Sequence, residues 1–171
     1  MKNSNLKNLI LSALFLTLGI VLPLLTGQIK EIGDTLLPMH LPVMLCGLIC
    51  SYKHGFAVGL VLPFLRSLMF LRPPMYPNAV WMALELAAYG LVIGLVYKYT
   101  LKKYLSLIIA MIAGRVVWGI AKAVLLGLLG KPFGITAFIT GGFVDAVPGI
   151  VLQLILVPLI FTAYEKSLKT K

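Results

Sequence analysis

Acidic side chains are the scarcest feature of this chain. Five Asp and Glu stand against fifteen Lys and Arg among 171 residues, and charged residues of both signs make up only 12%. A soluble domain carries about twice that share, so a water-exposed globular fold is excluded. Histidine and cysteine are equally sparse, two of each. Cys46 and Cys50 lie four residues apart in one apolar segment. That spacing puts them on one helical face, where a buried apolar pair is the reading and metal or redox work the alternative. Met39-His40 hints at a metal, but no second histidine stands at ligand spacing, so a satisfied or substrate-facing His40 is expected and no metal site. Catalytic signatures are missing too. There is no His-Glu-x-x-His and no Gly-x-Ser-x-Gly. The run Gly127 to Pro132 fails the phosphate-loop pattern, because Leu125 replaces its first glycine and Pro132 its Ser/Thr. The chain is therefore not expected to be an enzyme or to hold a cofactor, and any ATP hydrolysis would sit on partner subunits.

What is present is apolar length. Hydrophobic residues make up 60% of the chain, and the mean hydropathy is +1.02. A membrane span needs about 20 mostly apolar residues. Six such segments fill the chain: Leu9 to Leu25, Pro38 to Tyr52, Gly55 to Leu71, Ala79 to Tyr97, Leu105 to Leu129, and Ala137 to Tyr164. Residues 1–171 thus read as a single all-α membrane domain of six transmembrane helices. Segment two is too short to cross upright without help, and Pro38 and Pro42 loosen its start. Met1-Lys2 leads into the first run without an Ala-x-Ala-type cleavage site, so that run reads as a span and not a signal peptide. No internal repeat and no low-complexity segment stands out. The net charge of +10 does not imply nucleic acid, because the basic residues cluster at the ends of apolar segments.

Those basic residues set the orientation. With the N-terminus inside, one side holds nine (Lys2, Lys7, Lys53, Lys98, Lys102, Lys103, Lys166, Lys169, Lys171) and the other holds Lys30, Arg72 and Lys131. Both termini are therefore expected in the cytoplasm. Arg66, Arg115 and Lys122 fall within apolar segments. The connection Thr26 to Leu37 is long and polar for a transmembrane hairpin, as lids and binding loops often are.

An ionisable group inside lipid is costly and usually faces protein or a water-filled cavity. Counted along the helices, Arg66, Glu85, Lys122 and Asp145 reach the outer half, Arg115 lies nearer the middle, and His40 sits at the outer start of segment two. Trp81, Glu85 and Tyr89 share a helical face, as do Arg115, Trp118 and Lys122, and Asp145, Gly149 and Gln153. Aromatic walls with a few convergent polar groups describe a small-molecule site. This set predicts an outward-facing pocket under the long first loop. The alternative is that Arg66–Glu85 and Lys122–Asp145 are buried ion pairs that bind nothing. Ala13-x-x-x-Thr17 places two small residues one turn apart, which allows close approach of another helix, within the fold or from a partner.

The pattern resembles the S components of energy-coupling factor (ECF) transporters, the membrane substrate-binding subunits of bacterial vitamin importers. The resemblance rests on the topology and on three stretches: Ala13 to Pro23, Leu37-Pro38-Met39-His40-Leu41-Pro42-Val43, and Gly59 to Ser67. It implies high-affinity capture of a vitamin from outside at the plasma membrane. It also implies docking on a transmembrane coupling protein with two cytoplasmic ATPases, and toppling in the bilayer to release substrate. The family's first helix meets the coupling protein through Ala-x-x-x-Ala, for which Ala13 and Thr17 are the match here, with threonine a departure. The metal-transporting members use an amino-terminal Met-His, whereas Met39-His40 is internal. Charge mixed with aromatic rings favours a pyridoxine- or hydroxymethylpyrimidine-like substrate, with pantothenate or a cobalamin precursor behind it. A stand-alone secondary carrier or channel, or a non-transporting structural subunit, remains open on the sequence alone.

Overall fold

The computed structural model of the protein describes residues 2–25 and 36–169. Among these the chain is wholly helical. Seven α-helices follow one another: α1 (Lys2–Leu25), α2 (His40–Ile49), α3 (Tyr52–Phe70), α4 (Val80–Thr100), α5 (Lys103–Leu128), α6 (Ile135–Ile139) and α7 (Val147–Lys169). Four stretches are long and apolar enough to cross a membrane: Asn5–Leu24, Met75–Thr100, Lys103–Leu128 and Val147–Leu168. Helix α3 has the length, but Lys53, His54 and Arg66 make it too polar to qualify on composition. The long connection expected to cover the pocket lies, for residues 26–35, outside the described residues.

Helix α2 occupies the middle of the fold. Its ten residues rise only about 15 Å, half of a bilayer core of about 30 Å. Eight of the ten, His40 and Pro42 to Leu48, are buried. Val43, Met44 and Cys46 are fully enclosed, with Phe15 from α1, Leu62 from α3, Leu86 and Ile93 from α4, and Val157 and Phe161 from α7 completing the core. The apolar pattern of α2 runs all the way round, which marks a helix surrounded by protein. Cys46 and Cys50 are free and buried, with Cys46 Sγ 3.7 Å from Ser12 Oγ on α1.

Glycine lets α2, α3 and α4 approach closely. A Cβ placed on Gly47 would meet Gly90 O at 2.5 Å, and one on Gly55 would meet the same oxygen at 2.6 Å. A Cβ on Gly59 would run into Leu86 O. Helices packed this closely gain van der Waals contact that no lipid tail can match.

The sixth expected segment is broken. Helix α6 gives way to a π-turn over Thr140–Val144, and α7 begins only at Val147. Gly141-Gly142 sits in this break, and the Trp118 ring packs on it: a Cβ at either position would stand 3.3 Å from that ring. At the opposite end of α7, Tyr97 O–H donates to Glu165 Oε1 at 2.9 Å and Lys103 Nζ donates to Thr162 Oγ1 at 2.5 Å. These contacts tie α4, α5 and α7 at the Lys-rich end of the chain. Helices α5 and α7 otherwise meet only sparsely.

Candidate substrate-binding site

The buried polar residues converge where α2, α4 and α5 face one another. Glu85, on α4, is 2% exposed. Its Oε1 accepts a hydrogen bond from Arg115 Nη1 of α5 at 3.0 Å. The same oxygen lies 3.3 Å from His40 Nε2 at the start of α2, an ion-pair distance without hydrogen-bond geometry. The Tyr89 ring stands edge-on to His40, with centroids 5.1 Å apart. It rests on α5 at Gly114, where a Cβ would meet the ring at 2.5 Å. Three helices thus fix one carboxylate between a guanidinium and an imidazole.

Gln153 reaches the cluster from α7. It is fully buried, and its Nε2 is 3.5 Å from Leu37 O. That carbonyl also accepts from His40 N at 3.0 Å, so Gln153 holds the entry to α2. Five of these side-chain atoms have no hydrogen-bond partner among the described residues: His40 Nδ1 and Nε2, Arg115 Nε and Nη2, and Gln153 Oε1. Buried polar atoms are nearly always paired, so several open valences in one cluster point to a ligand or water.

Beside the cluster lies a groove of about 190 Å³, lined by Tyr89, Ile108, Met111, Ile112, Arg115, Phe143, Ile150 and Leu154. It fills the gap left by the sparse meeting of α5 and α7. A larger depression of about 300 Å³ runs along α1 against Leu6, Lys7, Ile10 and Leu11. It touches none of the cluster, and three of its four lining residues are aliphatic. The smaller groove is the better site.

Aromatic rings bound the other side. Lys122, one face-repeat along α5 from Arg115, has its Nζ 4.5 Å from the centroid of Trp118, 5.3 Å from Phe133 and 5.5 Å from Trp81. Arg115 lies 6.0 Å from the Trp118 ring, so that indole lies between the two cations. Phe138 and Phe133 close the group, and Gly119 leaves room for the Phe138 ring. Each contact of this kind contributes about 0.5–2 kcal/mol, most when desolvated.

The family model for the substrate-specific component of ECF transporters matches residues 7–161. The chain belongs to that family. No curated protein and no solved structure matches it in the same searches. Family membership and the long apolar helices make it a membrane protein, and it is a transport subunit by family.

Within this substrate-specific component, the ten residues singled out in the sequence divide into three groups. His40, Glu85, Tyr89, Arg115 and Gln153 form the polar cluster, and Trp81, Trp118 and Lys122 form the aromatic wall. Arg66 and Asp145 lie elsewhere. Arg66 is 3% exposed, but its Nη1 donates to Ile20 O of α1 at 2.6 Å, and it stacks over Phe70 at 5.4 Å. Pro23, which has no N–H, removes the ladder donor to Gly19 O, the carbonyl next to the one that Arg66 takes. Glu85 therefore pairs with Arg115 and not with Arg66. Asp145 is exposed at the end of the π-turn, where its N–H donates to Thr140 O at 2.9 Å. Helical spacing puts it beside Gln153 on one face, but Asp145 lies in the turn before α7, which starts at Val147.

Phe133 and Phe138 were not foreseen, because they follow the end of α5 and return to it only through the turn at Gly130. The glycine contacts have a visible signal in the sequence: Gly55-x-x-x-Gly59 and Gly90-x-x-x-Gly94 are small-xxx-small pairs, as Ala13 and Thr17 are. Those two residues are both exposed, with Thr17 Oγ1 bonded to Ala13 O at 2.9 Å.

Proposed function

We propose that this chain captures a small water-soluble vitamin or vitamin precursor and delivers it to an ATP-driven importer of the bacterial plasma membrane. The observation that carries this reading is the His40–Glu85–Arg115 cluster, with open hydrogen-bonding atoms, beside an apolar groove and an aromatic wall. At about 190 Å³, the groove is smaller than the ~300 Å³ at which drug-sized pockets begin. One ring with its substituents suits that space, which favours a pyridoxine- or hydroxymethylpyrimidine-sized compound, or pantothenate, over a cobalamin precursor.

The same reading includes six membrane crossings and cytoplasmic termini, supported by the nine-to-three bias of basic residues. Residues 1–171 act as one unit, and α2 counts as a crossing completed by its neighbours. The partners are a transmembrane coupling protein and two cytoplasmic ATPases. The exposed Ala13–Thr17 surface of α1 is the face offered to the coupling protein.

Mass spectrometry of small molecules that co-purify with the full chain, followed by titration of the molecule found, tests this function. Recovery of a vitamin-like compound that rebinds stoichiometrically is expected. Transport by the purified chain alone in liposomes without ATP would replace the reading with a secondary carrier. A reporter fused after Lys171 that works only outside the cell would overturn the orientation.

A further inference from the structure

We infer that the substrate presents an anionic edge with two adjacent oxygen acceptors, gripped by the Nε–H and Nη2–H side of Arg115. The inference rests on reading the cluster as the substrate site. It goes further by naming the chemical group that the site takes.

Arg115 is 4% exposed and lines the groove. Its three nitrogens are used unequally. Nη1 donates to Glu85, while Nε and Nη2 have no partner among the described residues. In a guanidinium the Nε–H and Nη2–H bonds lie parallel on one edge of the plane. That edge matches two oxygens of a single acceptor group, which is why Arg is the usual partner of carboxylates. Structural Arg–carboxylate pairs are frequently bidentate, with both oxygens on one edge. Here Glu85 instead uses one oxygen on the third nitrogen and shares that oxygen with His40 at 3.3 Å. Among the described residues the edge best shaped for an anion has no acceptor, at a burial where an unmet donor is costly.

The surroundings fit the same group. Lys122 adds a second cation on the face of α5 that carries Arg115, and Trp118 lies against both. Glu85 uses only the Nη1 corner of Arg115, so a cationic ligand would face the guanidinium's remaining donors and an anionic one would meet them. The rest of the groove is aliphatic or aromatic, suited to the carbon body and not to a second charge. Two sources supply the required edge. One is the carboxylate of a compact acid. The other is the ring phenolate of a hydroxypyridine with its neighbouring hydroxymethyl oxygen.

The test is isothermal titration of the full-length protein with matched pairs: nicotinate and nicotinamide, pantothenate and pantothenol, pyridoxine and its 3-O-methyl ether. The member of at least one pair that carries the anionic edge is expected to bind at least about tenfold more tightly than the partner that lacks it, the lower end for a hydrogen bond to a charged group. An acid that binds selectively identifies the carboxylate source, and selective pyridoxine binding identifies the phenolate source. Arg115→Lys keeps a positive charge for Glu85 but has no parallel donor edge, so it should fold and lose the discrimination. Binding of both members within about threefold, a difference under 1 kcal/mol, overturns the inference while leaving the transport reading intact. So does full discrimination by a folded Arg115→Lys protein. If nothing in the panel binds and no small molecule co-purifies, the substrate-site reading falls and takes this inference with it.

Discussion

Glu85→Ala separates a structural role from a binding role at the cluster. The substitution removes the acceptor that Arg115 Nη1 meets at 3.0 Å and leaves the guanidinium charged at 4% exposure. Breaking a buried pair from one side costs about 3–5 kcal/mol, because the surviving charge is neither solvated nor compensated. For a domain of this size each kcal/mol moves the melting temperature by about 2–4 °C, so the empty variant should melt about 6–20 °C lower. Removing both partners should undo most of this. Glu85→Ala combined with Arg115→Met leaves an apolar group where the charge was, and such replacements are often neutral. Residues in one network are not additive, and the double variant measures that coupling directly. The assay is a melting curve of the ligand-free protein in detergent for wild type, both single variants and the double variant. A single variant within about 2 °C of wild type, less than one kcal/mol, would show that the pair does not hold the fold. A double variant no better than Glu85→Ala would refute the argument from an unpaired charge.

Other consequences can be checked separately. Gly90→Leu would drive a side chain into the Gly55 backbone, and with no backbone free to move it should abolish folded yield on size-exclusion chromatography, whereas Gly127→Leu meets nothing within 4 Å and should not. Leu101 ends α4 in the left-handed region at φ 55° and is exposed; the strain is about 1–2 kcal/mol for a side chain with a Cβ, so Leu101→Gly should raise the melting temperature, and an unchanged or lower value would count against it. Ala13→Trp or Thr17→Trp should leave substrate affinity intact but reduce recovery of the coupling protein and ATPases in pull-downs, since close helix approach needs small side chains. Wild-type recovery would move the docking face elsewhere.

How much of this was legible in the sequence depended on whether the signal was local. For segments two to five, helix starts and ends followed the apolar runs to within three residues, because the charged and proline-containing breaks such as Ser51 to His54 and Arg72 to Pro77 interrupt them plainly; the first helix starts seven residues earlier than the run and the last starts ten residues later. The face-sharing of Trp81, Glu85 and Tyr89, and of Arg115, Trp118 and Lys122, is a property of uninterrupted helices, and α4 and α5 are uninterrupted. The same counting misled at Asp145, because the helix proper starts only at Val147 and Asp145 lies in the turn before it. Partner choice was the weaker inference. Depth along a helix axis placed Arg66 and Glu85 at one level, but depth carries no information about azimuth. Arg66 points to α1, where Pro23 disturbs the carbonyl ladder, while Arg115 points to α4. What decides azimuth is which helices touch, and here the glycines decide it. Gly47, Gly55, Gly59 and Gly90 pull α2, α3 and α4 together backbone to backbone. That contact brings His40 to Glu85 and leaves α5 to supply the counter-charge. The site is therefore set by residues that carry no chemistry of their own. A bulky substitution among the glycines should disturb binding through the placement of His40, even where the protein still folds.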